Sequence, residues 1–177
     1  MYLSNLAQGE KVQWHRYIWN RLSIPKHRFI LWLATLDKLK TRSRLHRMGI
    51  AADCSCPICG IKPETVAHLF FECTYSVECG TAVLKWLAFS HCKSGLIALL
   101  RWVQRTASSD FRRRVAYTAI SATVYHVWKA RNTCIWQLQV PSIQKLVKDI
   151  QGDVKYRVQH LISKKVSSSD LLWFHTL

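Results

Sequence analysis

Apolar residues recur along this chain at helical spacing, and alternating strand patterns are almost absent. Val12, Trp14, Ile18, Trp19 and Leu22 form an uneven stripe that predicts a helix over residues 10–22, with its tryptophans laid on a core. Ser23-Ile24-Pro25 ends it, because the residue before proline is pushed out of the helical region. A second helix is expected over Lys26–Lys38, with Phe29, Ile30, Leu33 and Leu36 on its apolar side and Trp32 beside them. Thr41 is placed to cap a short helix, Arg42–Met48, whose Leu45 and Met48 turn inward while Arg42, Arg44 and Arg47 turn out. Gly49 closes that helix.

Further on, Pro63-Glu64 has the composition of a first helical turn, since proline is tolerated there and a carboxylate suits the positive end of the helix dipole. Thr74 caps a helix expected over about Tyr75–Phe89, and a turn at Ser90–Gly95 leads to another over Leu96–Thr106. Ser108-Ser109-Asp110 precedes the longest helix, Phe111 to about Gln139, which opens on Arg112-Arg113-Arg114. Its stretch Val115–Trp128 carries no charge but holds Thr118, Ser121, Thr123 and His126, so a buried helix is expected rather than a membrane span. Pro141-Ser142 starts a last helix, Ile143 to about Ser163, and residues 164–177 have the composition of a flexible tail. The fold class is therefore mainly α.

Composition changes the picture in one respect. Apolar residues make up 49% of 177 and include eight Trp, ample for a core. The 26 Lys+Arg against 10 Asp+Glu give a net charge of +16, which points to an anionic partner and, above all, to nucleic acid. Ten basic and only two acidic residues lie between Glu10 and Arg47, so half of the excess precedes the cysteine-rich stretch. A solvated helix face normally mixes signs, and this one scarcely does. The first residues lack the basic region and long apolar core of a secretory signal, so a nuclear or cytoplasmic protein is expected. The Arg-rich, acid-poor first fifty residues leave a mitochondrial transit peptide as the competing reading.

The candidate chemistry lies in Cys56-Pro57-Ile58-Cys59-Gly60 and His68-Leu69-Phe70-Phe71-Glu72-Cys73. Three thiols and an imidazole at this spacing supply the donor set of one closed, tetrahedral, structural Zn²⁺ site. Gly60 can take the positive φ of a tight knuckle, and His68 and Cys73 suit a ligand in mid-helix and another where the helix frays. Cys54 lies close enough to substitute, but only Cys56 completes Cys-x-x-Cys. Cys79, Cys92 and Cys134 are expected as small buried hydrophobes. A disulfide framework is disfavoured by the odd count of seven.

Trp19, Ile24-Pro25-Lys26, Phe29, Leu31-Trp32-Leu33-Ala34, Leu39 to Leu45, Gly49-Ile50 and the Cys56–Cys73 motif together resemble the plant zinc-binding reverse-transcriptase domain. Domains of this kind stand at the carboxyl end of non-LTR retrotransposon polyproteins and in stand-alone genes derived from them. The resemblance covers roughly residues 14–88, within a zinc-binding unit assigned to 1–92, followed by a helical extension over 93–163. Val127-Trp128-Lys129-Ala130-Arg131-Asn132 resembles the helix that follows the zinc domain in such proteins. The resemblance implies Cys56, Cys59, His68 and Cys73 as the zinc ligands. One departure is Gly80, where the family commonly has tryptophan. A mid-helix glycine costs about 1 kcal/mol relative to alanine, so a shifted or broken helix is expected there.

Paired carboxylates of the kind that hold two metal ions in a polymerase are missing, as are a Gly-rich phosphate loop and a clustered acidic set. No catalysis and no small-molecule substrate are expected. The favoured function is nucleic-acid binding, with RNA or structured single strands preferred over duplex DNA, through Lys38, Lys40, Arg42, Arg44 and Arg47 and a second patch of Arg112, Arg113 and Arg114. A helical protein-interaction adaptor is the alternative, because eight tryptophans exceed what one small core needs.

Overall fold

The computed structural model describes residues 15–89, 95–163 and 165–177. Val12, Trp14, Cys92 and Lys164 therefore lie outside the described residues. The elements are α1 (His15–Ile18), α2 (Pro25–Thr35), α3 (Arg42–Arg47), a π-helical turn (His68–Glu72), α4 (Thr74–Trp86), α5 (Leu96–Thr106), α6 (Asp110–Gln137), α7 (Ile143–Leu161) and α8 (Ser168–Thr176). The only β pairing among the described residues is an isolated bridge between Ser55 and Pro63.

α6 is the axis. It packs most extensively against α7 and α2, and also against α4 and α5, so its apolar residues run round its circumference instead of along one stripe. Val115, Ala116, Ala119, Ile120, Val124, Val127 and Ala130 are all buried. Ser109 caps its start by accepting from the Arg112 amide at 3.1 Å, and Leu138 ends it in the left-handed conformation at φ 55°. Leu146, Ile150, Val154 and Val158 recur at helical spacing along the buried side of α7.

Among the described residues, α1 ends before its apolar stripe does. α1 stops at Ile18 because Asn20 turns inward, donating to the Arg114 carbonyl at 2.7 Å and to Thr118 Oγ1 at 2.9 Å while its own oxygen accepts from the Leu22 amide. Ile18 and Leu22 stay buried, but Trp19 is half-exposed and lies beside Trp32. Met48 is exposed rather than turned inward, since α3 ends one residue before it. Asp37 takes φ 51° and closes α2 earlier than expected. The expected break at Gly80 does not occur: α4 runs through it, and Ala88 at φ 61° ends the segment beyond.

The expected flexible tail is the largest correction. Ser167 accepts from the Asp170 amide at 3.2 Å and starts α8, so the serine run is a helix cap. Phe174 is buried at an edge-to-face angle against Phe111, and Arg112 donates to Asp170 at 2.8 Å while lying over the Trp173 ring. Trp86 Nε1 donates to the Leu177 carbonyl at 2.6 Å, which ties α4 to the end of the chain. No helix among the described residues is long and apolar enough to cross a membrane.

Candidate metal centre

The knuckle is a short two-way loop. The Cys56 amide donates to the Lys62 carbonyl and the Glu64 amide to the Cys54 carbonyl, each at 2.8 Å, which draws the two arms together around residues 57–61. At the turn, Gly60 takes φ 68° and donates to the Cys56 carbonyl, as a Cys-x-x-Cys-Gly knuckle requires. The following helix does not begin at Pro63, which is held in the bridge to Ser55. It begins after Thr65, whose hydroxyl accepts from the His68 amide at 2.9 Å.

Five residues separate His68 from Cys73, and in an α-helix they would point about 140° apart. The backbone resolves this with a π turn: the Cys73 amide donates to the His68 carbonyl at 2.8 Å, five residues back, and brings residue 73 round to the side of residue 68. The ligand atoms of Cys56, Cys59, His68 and Cys73 consequently lie within 4.8 Å of one another. Cys56 and Cys73 are fully buried, and His68 nearly so. Cys59 Sγ sits 3.3 Å from His68 Nε2, leaving Nδ1 facing the Glu72 carboxylate at 3.9 Å. Metal-bound histidines commonly direct their second nitrogen to such a partner.

The thiols are coupled. A hydrogen bond with Cys73, together with burial, pushes the Cys56 thiol up to about 12, and the same bond holds Cys73 below its usual value. Three sulfurs and one nitrogen whose ligand atoms converge in this way fit Zn²⁺. Cys54 is not among the four, so the geometry favours Cys56. Cys79 is a buried hydrophobe, whereas Cys134 is part-exposed and donates to the Pro57 carbonyl.

The basic residues fall into different environments. Lys38, Lys40 and Arg47 are exposed. Arg42 reaches Asp53 at 3.2 Å and the Ser55 carbonyl and so braces the start of the knuckle, while Arg44 donates to the Asp37 carbonyl beyond the end of α2 at 2.9 Å. Arg112 is occupied by Asp170 and Trp173, and Arg113 and Arg114 both face Asp110.

Two features have no signal in sequence spacing. Glu64, fully buried, receives Arg131 in a two-pronged ion pair and the Arg42 amide at 2.6 Å. His27, His126 and Asp153, from three different helices, also converge. Only the tertiary packing of α2, α6 and α7 brings the latter three together.

A cluster of three thiols, two of them buried, and one buried imidazole, set in a knuckle and helix within a mainly helical fold, defines a candidate zinc-binding module. Residues 1–79 match the family model described as zinc-binding in reverse transcriptase. No curated protein and no solved structure matches the chain.

Proposed function

We propose that the chain is a non-catalytic, zinc-stabilised nucleic-acid-binding module related to reverse transcriptase, with RNA or structured single strands as its partner. The observation that carries this reading is the exposure of Lys38, Lys40 and Arg47 on a segment anchored to the knuckle. Glu64 holds that segment through the Arg42 amide, its carbonyl accepts from the Ser43 amide, and Arg131 donates to the Lys40 carbonyl at 3.2 Å. Cations fixed on a rigid support bind phosphates with less ordering cost than cations on a free loop. Half-exposed Trp19 and Phe29, both beside Trp32, offer rings on which unpaired bases can stack.

The test is a salt series of RNA and DNA binding by the full chain with its zinc content measured on the same sample. Lys38→Glu, Lys40→Glu and Arg47→Glu together are expected to lower affinity at least tenfold and to flatten the salt slope by roughly 0.7 per lost phosphate contact on a single strand. An unchanged slope rules the patch out. A second reading, a protein-interaction adaptor, draws support from Trp136 and Leu138, which are 81% and 89% exposed near the end of α6. A defined protein complex without RNA affinity would select it.

A further inference from the structure

At the junction of α2, α6 and α7, the ligand atoms of His27, His126 and Asp153 lie within 4.8 Å of one another. The three share no residue with the cysteine site. His126 Nε2 is 2.9 Å from Asp153 Oδ2, a normal hydrogen bond. His27 Nε2 faces the same oxygen at 3.5 Å, and this nitrogen is buried with no hydrogen-bond partner. The His27 side chain is 1% exposed, and its ring is stacked on Tyr125 at 4.3 Å, so its direction is fixed by packing.

A carboxylate placed only to satisfy both imidazoles would sit within hydrogen-bond range of each. Instead the two separations to Asp153 approach the spacing of a coordination shell. Bonds of 2.0–2.1 Å from a tetrahedral ion place neighbouring ligand atoms roughly 3.3 Å apart. The His27 to Asp153 separation already matches that figure, and the His126 to Asp153 separation needs only a few tenths of an ångström more. Asp153 is 37% exposed while both histidines are buried, so the cluster has one side open to water.

We propose that His27, His126 and Asp153 form a second metal site, which takes a divalent transition ion of the zinc class and leaves one coordination position open to solvent. Two imidazoles exclude the hard, all-oxygen preferences of Ca²⁺ and Mg²⁺, and the lack of a thiolate separates the site from the Cys56 cluster. Because one ligand comes from each of α2, α6 and α7, a bound ion would also staple the three helices around the axis of the fold. The site does not depend on whether the chain binds nucleic acid.

The test is titration of the reduced, metal-free full chain with Co²⁺ and then Zn²⁺. Two equivalents are expected. The tighter should carry the intense sulfur-to-metal charge-transfer absorption of a thiolate site, and the second should add only weak ligand-field bands. Asp153→Asn keeps the shape of the side chain and an acceptor for His126, and it is expected to weaken the second equivalent at least tenfold while leaving the thiolate band intact. His126→Gln should do the same. A single equivalent in the unaltered chain, a second equivalent that adds thiolate absorption, or two equivalents of unchanged affinity in both variants would overturn the proposal.

Discussion

Arg131 grips Glu64 with both prongs of its guanidinium, Nε to Oε1 at 2.6 Å and Nη2 to Oε2 at 2.7 Å, across 67 residues of sequence. Glu64 is fully buried and the Arg131 side chain is 6% exposed. This pair joins the zinc knuckle to the long helix, and the Arg131 guanidinium also stacks over Trp128 at 4.7 Å. The aromatic contact and the two-pronged geometry both require arginine, so lysine is not a conservative replacement here.

Removing one partner strands the other charge without water. Glu64→Gln and Arg131→Met are each expected to cost about 3–5 kcal/mol, and the double variant less than the sum of the two, because neither charge is then left alone. Urea denaturation of the three variants checks this. Additive losses would mean that the two residues act independently.

A second long-range pair sets the pH response of the C-terminus. Burial works to raise the Asp170 carboxyl, but hydrogen bonds from Arg112, Ser109 and Ser167 outweigh it and hold the group below its usual 3.8. A carboxylate whose folded pKa is depressed contributes stability that is present above the unfolded value and lost as pH falls through the folded one. α8 should therefore stay docked from neutral pH down to about 4 and loosen below that. Asp170→Asn should cost about 1.5–3 kcal/mol at neutral pH and remove this acid step. Hydrogen exchange of the α8 amides, compared at pH 7 and pH 3, reads it.

Local chemistry was legible in the sequence, and long-range chemistry was not. Thr41, Ser109 and Ser142 cap helices as their side chains dictate, and α5 occupies Leu96–Thr106 as its apolar spacing requires. The four candidate ligands follow from the spacing of the cysteines and the histidine, but the π turn that aims two of them does not, because nothing in His68–Glu72 departs from an α-helical composition. Glu64 fits equally well as a first-turn acid near a helix dipole and as a buried partner. Only Arg131, placed by the packing of α6, decides between them. Likewise Ser167-Ser168-Ser169 has linker composition until Phe111 and Arg112 give Phe174 and Asp170 something to dock on.

Metal removal should act on the knuckle before the bundle. Without an ion, the Cys56–Cys73 region is held by loop hydrogen bonds and by Glu64, whereas α6 and α7 keep their own apolar contact. Chelation of the zinc-loaded chain is therefore expected to lower thermal stability and to open residues 54–73 to exchange, while α6 and α7 stay protected. Cys59→Ala should reproduce this, since it removes the part-exposed thiol and leaves both buried ones in place. Unchanged exchange across 54–73 after verified metal loss would mean that the protein hydrogen bonds suffice to hold the knuckle.

Gly80 and Gly152 together test the backbone contribution to helix stability. Both lie inside α-helices, α4 and α7, and a Cβ added at either meets nothing within 4 Å. Replacing glycine by alanine in a helix interior gains about 1 kcal/mol from the backbone alone, and Gly152, being exposed, should report that figure for Gly152→Ala. Gly80 differs in its surroundings: it lines an apolar cavity of about 240 Å³ bounded by Phe70, Val77, Leu99 and Val124. A methyl group placed there still meets no atom within 4 Å, so it adds no packing to the backbone gain. Gly80→Ala should therefore stabilise the chain by about as much as Gly152→Ala, roughly 1 kcal/mol. A clearly larger gain at position 80 in urea denaturation would mean that the cavity closes on the methyl group and takes it out of water.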